Sequence, residues 1–210
     1  LIGCVGGLAL PSSPRPLSAS VGFGHACALT NGGLVECWGD NRRSQVSAAP
    51  GGVVFSPTQA LPIPMTVSAV FTGGDASCAS TSLGDITCWG ASLQSTWTLG
   101  RTADFTEVKP GEPTCAVTTA GAVLCWPTPS ASPVTIVSGP AHALGVARTH
   151  ACALLADSTA TCWATDPLGP AVAVPGGFKF ATLSVGGQHA CGIDGSGMAR
   201  CWGANNLGQL

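Results

Sequence analysis

The sequence predicts an all-β fold, a β-propeller of short-blade repeats, and three observations carry that prediction. First, a ten-residue step from Cys to Cys-Trp occurs five times with unchanged spacing: Cys27 to Cys37-Trp38, Cys78 to Cys88-Trp89, Cys115 to Cys125-Trp126, Cys152 to Cys162-Trp163 and Cys191 to Cys201-Trp202. Such a recurrence is an internal repeat and is read before any local feature. Second, turn-forming residues stand at the midpoint of every step, among them Asn31-Gly32-Gly33, Thr119-Ala120-Gly121 and Asp194-Gly195-Ser196-Gly197, so each step reads as a β-hairpin. Third, strand side chains alternate, which puts Cys27, Leu29, Val35 and Cys37 on one face and Trp38 on the other. A sheet that is apolar on both faces suits radial stacking, each blade covering its neighbour. A linear solenoid of hairpins is the competing arrangement.

Folding each step at its midpoint sets Cys27 opposite Cys37, Leu29 opposite Val35 and Ala26 opposite Trp38. Across the copies the partner of the Trp is Ala26, Ser77, Thr114, Ala151 and Ala190, a small residue that leaves room for the indole. Directly opposed residues on antiparallel strands lie within reach of a disulfide, above all at a non-hydrogen-bonded site. The ten cysteines therefore read as five intra-hairpin bridges and point to an oxidising compartment. Buried free thiols acting as small apolar side chains are the alternative. Zinc fits poorly, since tight C-x2-C pairs are absent.

Composition agrees with the class. The chain has 210 residues with 29 Gly and 16 Pro, shows no long helical periodicity, and reads as one domain over 1–210. Charged residues make up only 9% and the net charge is −2, which gives no basic footprint for nucleic acid. No apolar run reaches the ~18–20 residues of a membrane-spanning helix, so no membrane insertion of this segment is expected. So weakly charged a surface suggests cover by sugar, a protein partner or neighbouring domains.

In chain order, the odd cysteine comes first. Cys4-Val5-Gly6 sits where Cys37-Trp38-Gly39 sits and reads as the remnant of an earlier hairpin, giving a partial blade over 1–20 and a chain cut from a longer, seven-bladed ring. The repeats are centred on 21–46, 70–97, 108–134, 144–171 and 183–210. The longest connection, from Ser47 to about Thr66, follows the first copy. An insertion of this kind maps to a loop on one face, often a binding face, and Arg42, Arg43 and Phe55 are its candidate contacts. Trp97 stands outside the Cys-Trp series. Counted from the second Cys it falls in register with Val46, Val134, Ala171 and Leu210, an apolar slot that favours core over ligand stacking. In the third copy Pro110-Gly111-Glu112-Pro113 replaces the usual glycines, and the Thr128 to Pro133 segment is a Ser-Pro connection of the kind that carries sugars. No Asn-x-Ser/Thr acceptor occurs.

The string Ser184-Val185-Gly186-Gly187-Gln188-His189-Ala190-Cys191, followed by Cys201-Trp202-Gly203-Ala204-Asn205-Asn206-Leu207-Gly208-Gln209-Leu210, resembles the repeat of the regulator of chromosome condensation superfamily. Gly24-His25-Ala26-Cys27 and Trp38-Gly39-Asp40-Asn41 repeat the likeness in the first copy. The resemblance implies a propeller, usually of seven blades, whose faces bind proteins. First-Cys intervals of 51, 37, 37 and 39 residues are compact. They look more like the blades of beta-lactamase inhibitor protein II and of crinkly-type receptor ectodomains than like those of the nuclear exchange factor.

Catalytic, metal and cofactor chemistry finds no foothold. His25, His150 and His189 share one repeat position, so they are spread over different blades and read as structural strand residues. His142 lies in no motif, and no paired carboxylates, nucleophile elbow or phosphate loop is present. The expectation is a non-catalytic extracellular or cell-surface module that binds protein or builds a surface or matrix assembly, without a cofactor. The alternatives are an intracellular exchange-factor or scaffold propeller and a carbohydrate-binding propeller.

Overall fold

The computed structural model describes residues 16–47, 51–60, 66–90, 93–129 and 131–210. The Cys4 remnant, residues 1–15, and parts of the connection after Ser47 lie outside the described residues. Each Cys-to-Cys-Trp step is the central hairpin of a larger antiparallel sheet. Blade I comprises β1 (Pro16–Val21), β2 (His25–Thr30), β3 (Val35–Asp40) and β4 (Val53–Gln59). Blade II comprises β5 (Val67–Thr72), β6 (Ala76–Thr81), β7 (Asp85–Gly90) and β8 (Leu93–Arg101). A short 3-10 turn, Thr102–Asp104, leads into blade III, with β9 (Phe105–Lys109), β10 (Thr114–Thr118), β11 (Val123–Trp126) and β12 (Val134–Val137). Blade IV holds β13 (Ala141–Val146), β14 (His150–Leu155), β15 (Ala160–Ala164) and β16 (Val172–Ala173). Blade V has three strands among the described residues, β17 (Phe180–Val185), β18 (His189–Asp194) and β19 (Ala199–Gly203).

The register follows from the spacing. In the first hairpin Ala26 opposes Trp38, Cys27 opposes Cys37 and Leu29 opposes Val35, and the other four repeat the Cys-Cys and Trp-to-small pairings. All five cysteine pairs are disulfides, with Cα–Cα separations of 3.9–4.1 Å, the close approach of a non-hydrogen-bonded pair.

Blades stack disulfide face to Trp face. Cys27, Leu29, Val35 and Cys37 of blade I bury against Val70, Ala79 and Trp89 of blade II. Cys78, Ile86 and Cys88 meet Val108, Ala116 and Trp126 in the same way. Cys115, Val117, Val123 and Cys125 meet Leu144, Ala151 and Trp163, and Leu154 and Ala160 meet Phe180 and Trp202. The first strands of successive blades, β1, β5, β9, β13 and β17, contact one another and line the axis. Main-chain hydrogen bonds tie each hairpin tip to the next blade: the carbonyls of Gly33, Gly84, Gly121 and Ser158 accept from the amides of Val67, Thr102, Ala141 and Phe180.

Three details differ from the sequence reading. Pro16–Val21 is the first strand of blade I, so the expected partial blade does not extend to residue 20. The connection after Ser47 is not all loop, because it contains β4 and places Phe55 on a strand. Trp97 pairs with Cys88 as Thr58 pairs with Cys37, so Thr58 rather than Val46 is its counterpart. The inserted residues precede the fourth strand of blade I, and counting from the cysteine fails there. Trp97 itself packs, partly buried, against the core between blades II and III.

Candidate functional site

The longest connection leaves blade I through Asp40-Asn41-Arg42-Arg43-Ser44-Gln45-Val46, and the structure shows what seats it. The Asn41 carboxamide oxygen accepts the amides of Val46 (2.9 Å) and Ser47 (3.0 Å), closing the loop on itself. Gln45 Oε1 accepts the Arg43 amide at 2.8 Å, and Ser44 at the bend has φ 61°. Asn41, Gln45 and Val46 are buried although they lie between strands. The loop thereby aims the Gln45 carbonyl at blade II, where it accepts both Trp89 Nε1 and Ser77 Oγ at 3.0 Å. The Ser77 proton is committed to Gln45, so His25 Nε2 is the donor in its 2.8 Å contact with Ser77 Oγ. His25 Nδ1 is buried with no partner.

Arg42 and Arg43 point different ways from this seat. Arg42 grips Asp40 through Nε at 2.9 Å and Nη2 at 2.8 Å, holding that carboxyl below the usual carboxylate range, and its side chain is 77% exposed. Arg43 lies across three blades, with Nε 3.3 Å from Asp75 of blade II and Nη1 3.2 Å from Glu112 of blade III. Val53 pairs with Asp40 beside the Arg42 ion pair, and alternation along β4 sets Phe55 on the same face, which is also the Trp38 face of blade I. Phe55 is 88% exposed, and Val21 on that face is 76% exposed. Arg42 and Phe55 thus stand on the Trp face of blade I, the face that in blades II to V packs against the preceding blade, while Arg43 serves the blade contacts. Trp38 is half-buried there, whereas Trp89, Trp126 and Trp163 are buried between blades and Trp202 partly so, its Nε1 3.4 Å from Cys162 Sγ.

The other candidate chemistry stays apart. His150 Nε2 contacts the His189 carbonyl at 3.3 Å, so the repeated histidine reaches the next blade here as His25 does in blade I, and burial lowers the pKa of both rings. Among the described residues no group of three His, Cys, Asp or Glu side chains could hold a metal ion. His142 lines a shallow depression of about 280 Å³ between blades III and IV, with Thr106, Thr119 and Pro140. No helix among the described residues is long and apolar enough to cross a membrane.

The seat is a residue set that the sequence reading passed over, yet a signal existed. Asn and Gln follow the Trp by the same spacing in two copies, as Asn41 and Gln45 and as Asn205 and Gln209. The second loop has the same bonds: Asn205 Oδ1 accepts the Leu210 amide at 3.0 Å, Gln209 Oε1 accepts the Leu207 amide at 2.8 Å, and Gly208, with φ 74°, occupies the bend.

These same two copies, residues 18–45 and 180–209, match the Regulator of chromosome condensation (RCC1) repeat. No curated protein matches the chain by sequence. Among solved structures, human WBSCR16 superposes with TM-score 0.68 at 18% identity, covering 91% of this chain and 62% of that one. Prp20p from Saccharomyces cerevisiae, a structure described with its binding to Gsp1p and histones, gives TM-score 0.69 at 13% identity, covering 90% of this chain and 58% of that one. The CRINKLY WD40 ectodomain of the Arabidopsis thaliana receptor kinase ACR4 gives TM-score 0.59 at 24% identity, covering 93% of this chain and 66% of that one. The chain therefore spans less than two thirds of each of these proteins. At such identities the likeness fixes the fold, an RCC1-like propeller.

Proposed function

We propose that this RCC1-like propeller is a non-catalytic extracellular or cell-surface module that binds a protein partner, or a neighbouring domain of the same assembly, through the Arg42–Phe55 surface of blade I. One observation carries the reading: all ten cysteines of the repeats are joined within their own hairpins, a state that persists in oxidising compartments and is rare in the cytosol. The receptor-kinase ectodomain among the structural neighbours supports the extracellular setting, and Prp20p, described with its binding to Gsp1p and histones, supports a protein partner. A non-catalytic role is supported by the one Ser–His contact among the described residues, His25 to Ser77, whose serine is fully buried and whose proton is held by Gln45.

Two measurements test the proposal. Native protein taken from its source and alkylated before reduction should leave all ten repeat cysteines unlabelled, and free thiols there would return the chain to an intracellular role. A photo-crosslinking residue at Phe55 should then capture a protein, while the same residue at exposed Leu83, on the hairpin tip of blade II, should not. Equal capture at both positions would remove the assigned surface.

A further inference from the structure

The seat beneath the blade I loop contains a group that can change charge near neutral pH. His25 is buried between blades I and II, donates through Nε2 to Ser77, and keeps Nδ1 buried and unpartnered. Space is closed on the Nδ1 side: a Cβ placed on Gly22 would stand 2.9 Å from that atom. A second proton on the ring would therefore create an N–H with no acceptor and a charge cut off from water, both costly in a buried interface. The charged groups around the ring do not rescue it. Asp40 favours the proton but is held by Arg42, and Asp75 favours it but is held by Arg43, which also reaches Glu112. Burial outweighs both carboxylates, so the ring takes up its proton less readily than a free histidine. Blade III has Pro113 at the same repeat position, and its junction has no such group.

We propose that the junction of blades I and II is a proton-sensitive latch: protonation of His25 opens the chain of contacts His25–Ser77–Gln45–Trp89 and frees the Asn41–Val46 loop from blade II. The neutral ring holds the latch closed, and the imidazolium is stable only where the junction has parted and water reaches it. The latch works whatever the loop binds, so loss of the Phe55 partner would leave it intact.

The test is hydrogen exchange at the Trp89 indole N–H, followed by NMR from pH 7.5 to 5 with the disulfides intact and Trp126 as the internal control. Expressed as a protection factor, Trp89 should lose up to about tenfold per pH unit below roughly 6.5, the ordinary histidine value, while Trp126 stays level. His25→Gln keeps an N–H for Ser77 but cannot titrate, and should abolish the pH dependence. If that variant does not fold, the His25 ring resonances of the wild-type protein supply the second reading, with a midpoint below about 6.5 that the Trp89 signal follows. Protection of Trp89 that tracks Trp126, a pH dependence that survives in His25→Gln, or a His25 midpoint at or above the ordinary value would overturn the latch.

Discussion

Trp89 donates its indole N–H to the main-chain carbonyl of Gln45 at 3.0 Å across the boundary between blades I and II, whereas Trp163, at the same repeat position in blade IV, has no acceptor among the described residues. Both indoles are almost fully buried, and both lie against the disulfide face of the preceding blade. The difference lies in the preceding loop. Blade I follows its Trp with the Asn41–Gln45 loop, and blade III follows its own with Pro127-Thr128-Pro129.

Replacing each indole by phenyl isolates that hydrogen bond. Trp89→Phe and Trp163→Phe lose similar ring volume, so the cavity contributions largely cancel in the comparison. Trp89→Phe should cost about 1 kcal/mol more, the net worth of a buried neutral hydrogen bond. Chemical-denaturation midpoints of the two variants check this, and equal losses would mean that the Gln45 contact is energetically idle.

The contrast between these two tryptophans also marks where the sequence stopped being readable. Hairpin register was legible because a fixed Cys-to-Cys step and a small residue opposite each Trp are local constraints carried by side chains. Blade stacking followed, since Leu29 on one face and Trp38 on the other leave no polar side. The Gln45 acceptor was not legible in the same way: it is a main-chain group, and only the loop that aims it, Asn41 through Gln45, has a side-chain signature. Fourth strands were lost for another reason. They stand at the outer edge, bear no cysteine, and follow connections of variable length, so Trp97 and Thr58 share a place that no count from Cys37 or Cys88 reveals. Arg43 looked like a free contact residue because Asp75 and Glu112 are distant in sequence and meet it only once three blades are assembled.

Disulfides sealed between blades should resist mild reduction. Cys27, Cys37, Cys78, Cys88, Cys115 and Cys125 are completely buried under the next blade. Thiol–disulfide exchange requires access to a sulfur. Limited reductant followed by alkylation and peptide mapping should therefore leave these six cysteines unlabelled while the blades stay stacked. Removing one inner bridge, as in Cys78→Ala with Cys88→Ala, should cost roughly 2–4 kcal/mol for a loop of this length. Labelling of those six cysteines in the folded protein would contradict the blade stacking.

Asp157, at the hairpin tip of blade IV, gives a separate acid-side prediction. Its Oδ1 accepts the Thr159 hydroxyl at 2.6 Å and amide at 2.9 Å, and Lys179 Nζ lies 3.3 Å from Oδ2. The Thr159 contacts, with Lys179 behind them, bring the carboxyl down from 3.8 to about 2. The folded value lies below the unfolded one, so the stabilisation is present above pH 3.8 and is lost as pH falls toward 2. Carboxyl NMR should show the low midpoint, and Thr159→Val should raise it. A midpoint unchanged in that variant would assign the shift to Lys179 instead.

Adjacent glycines at the entry to the second hairpin make the sharpest test of blade spacing. Gly73 follows β5, and a Cβ there would collide with the Pro110 carbonyl of blade III, a main-chain group with no freedom to withdraw. At Gly74 the nearest atom is Gly111 Cα at 3.8 Å, an ordinary contact. Neither glycine has positive φ, so backbone strain does not separate them and only the approach of the next blade does. Gly73→Ala should therefore destabilise by at least ~2 kcal/mol, the scale of overpacking a closed interface, while Gly74→Ala stays within about 1 kcal/mol of the parent. Thermal unfolding of the two variants under identical conditions decides between them, and a tolerated Gly73→Ala would mean that blades II and III stand further apart than their main-chain contact, Gly74 N to Pro110 O at 3.2 Å, requires.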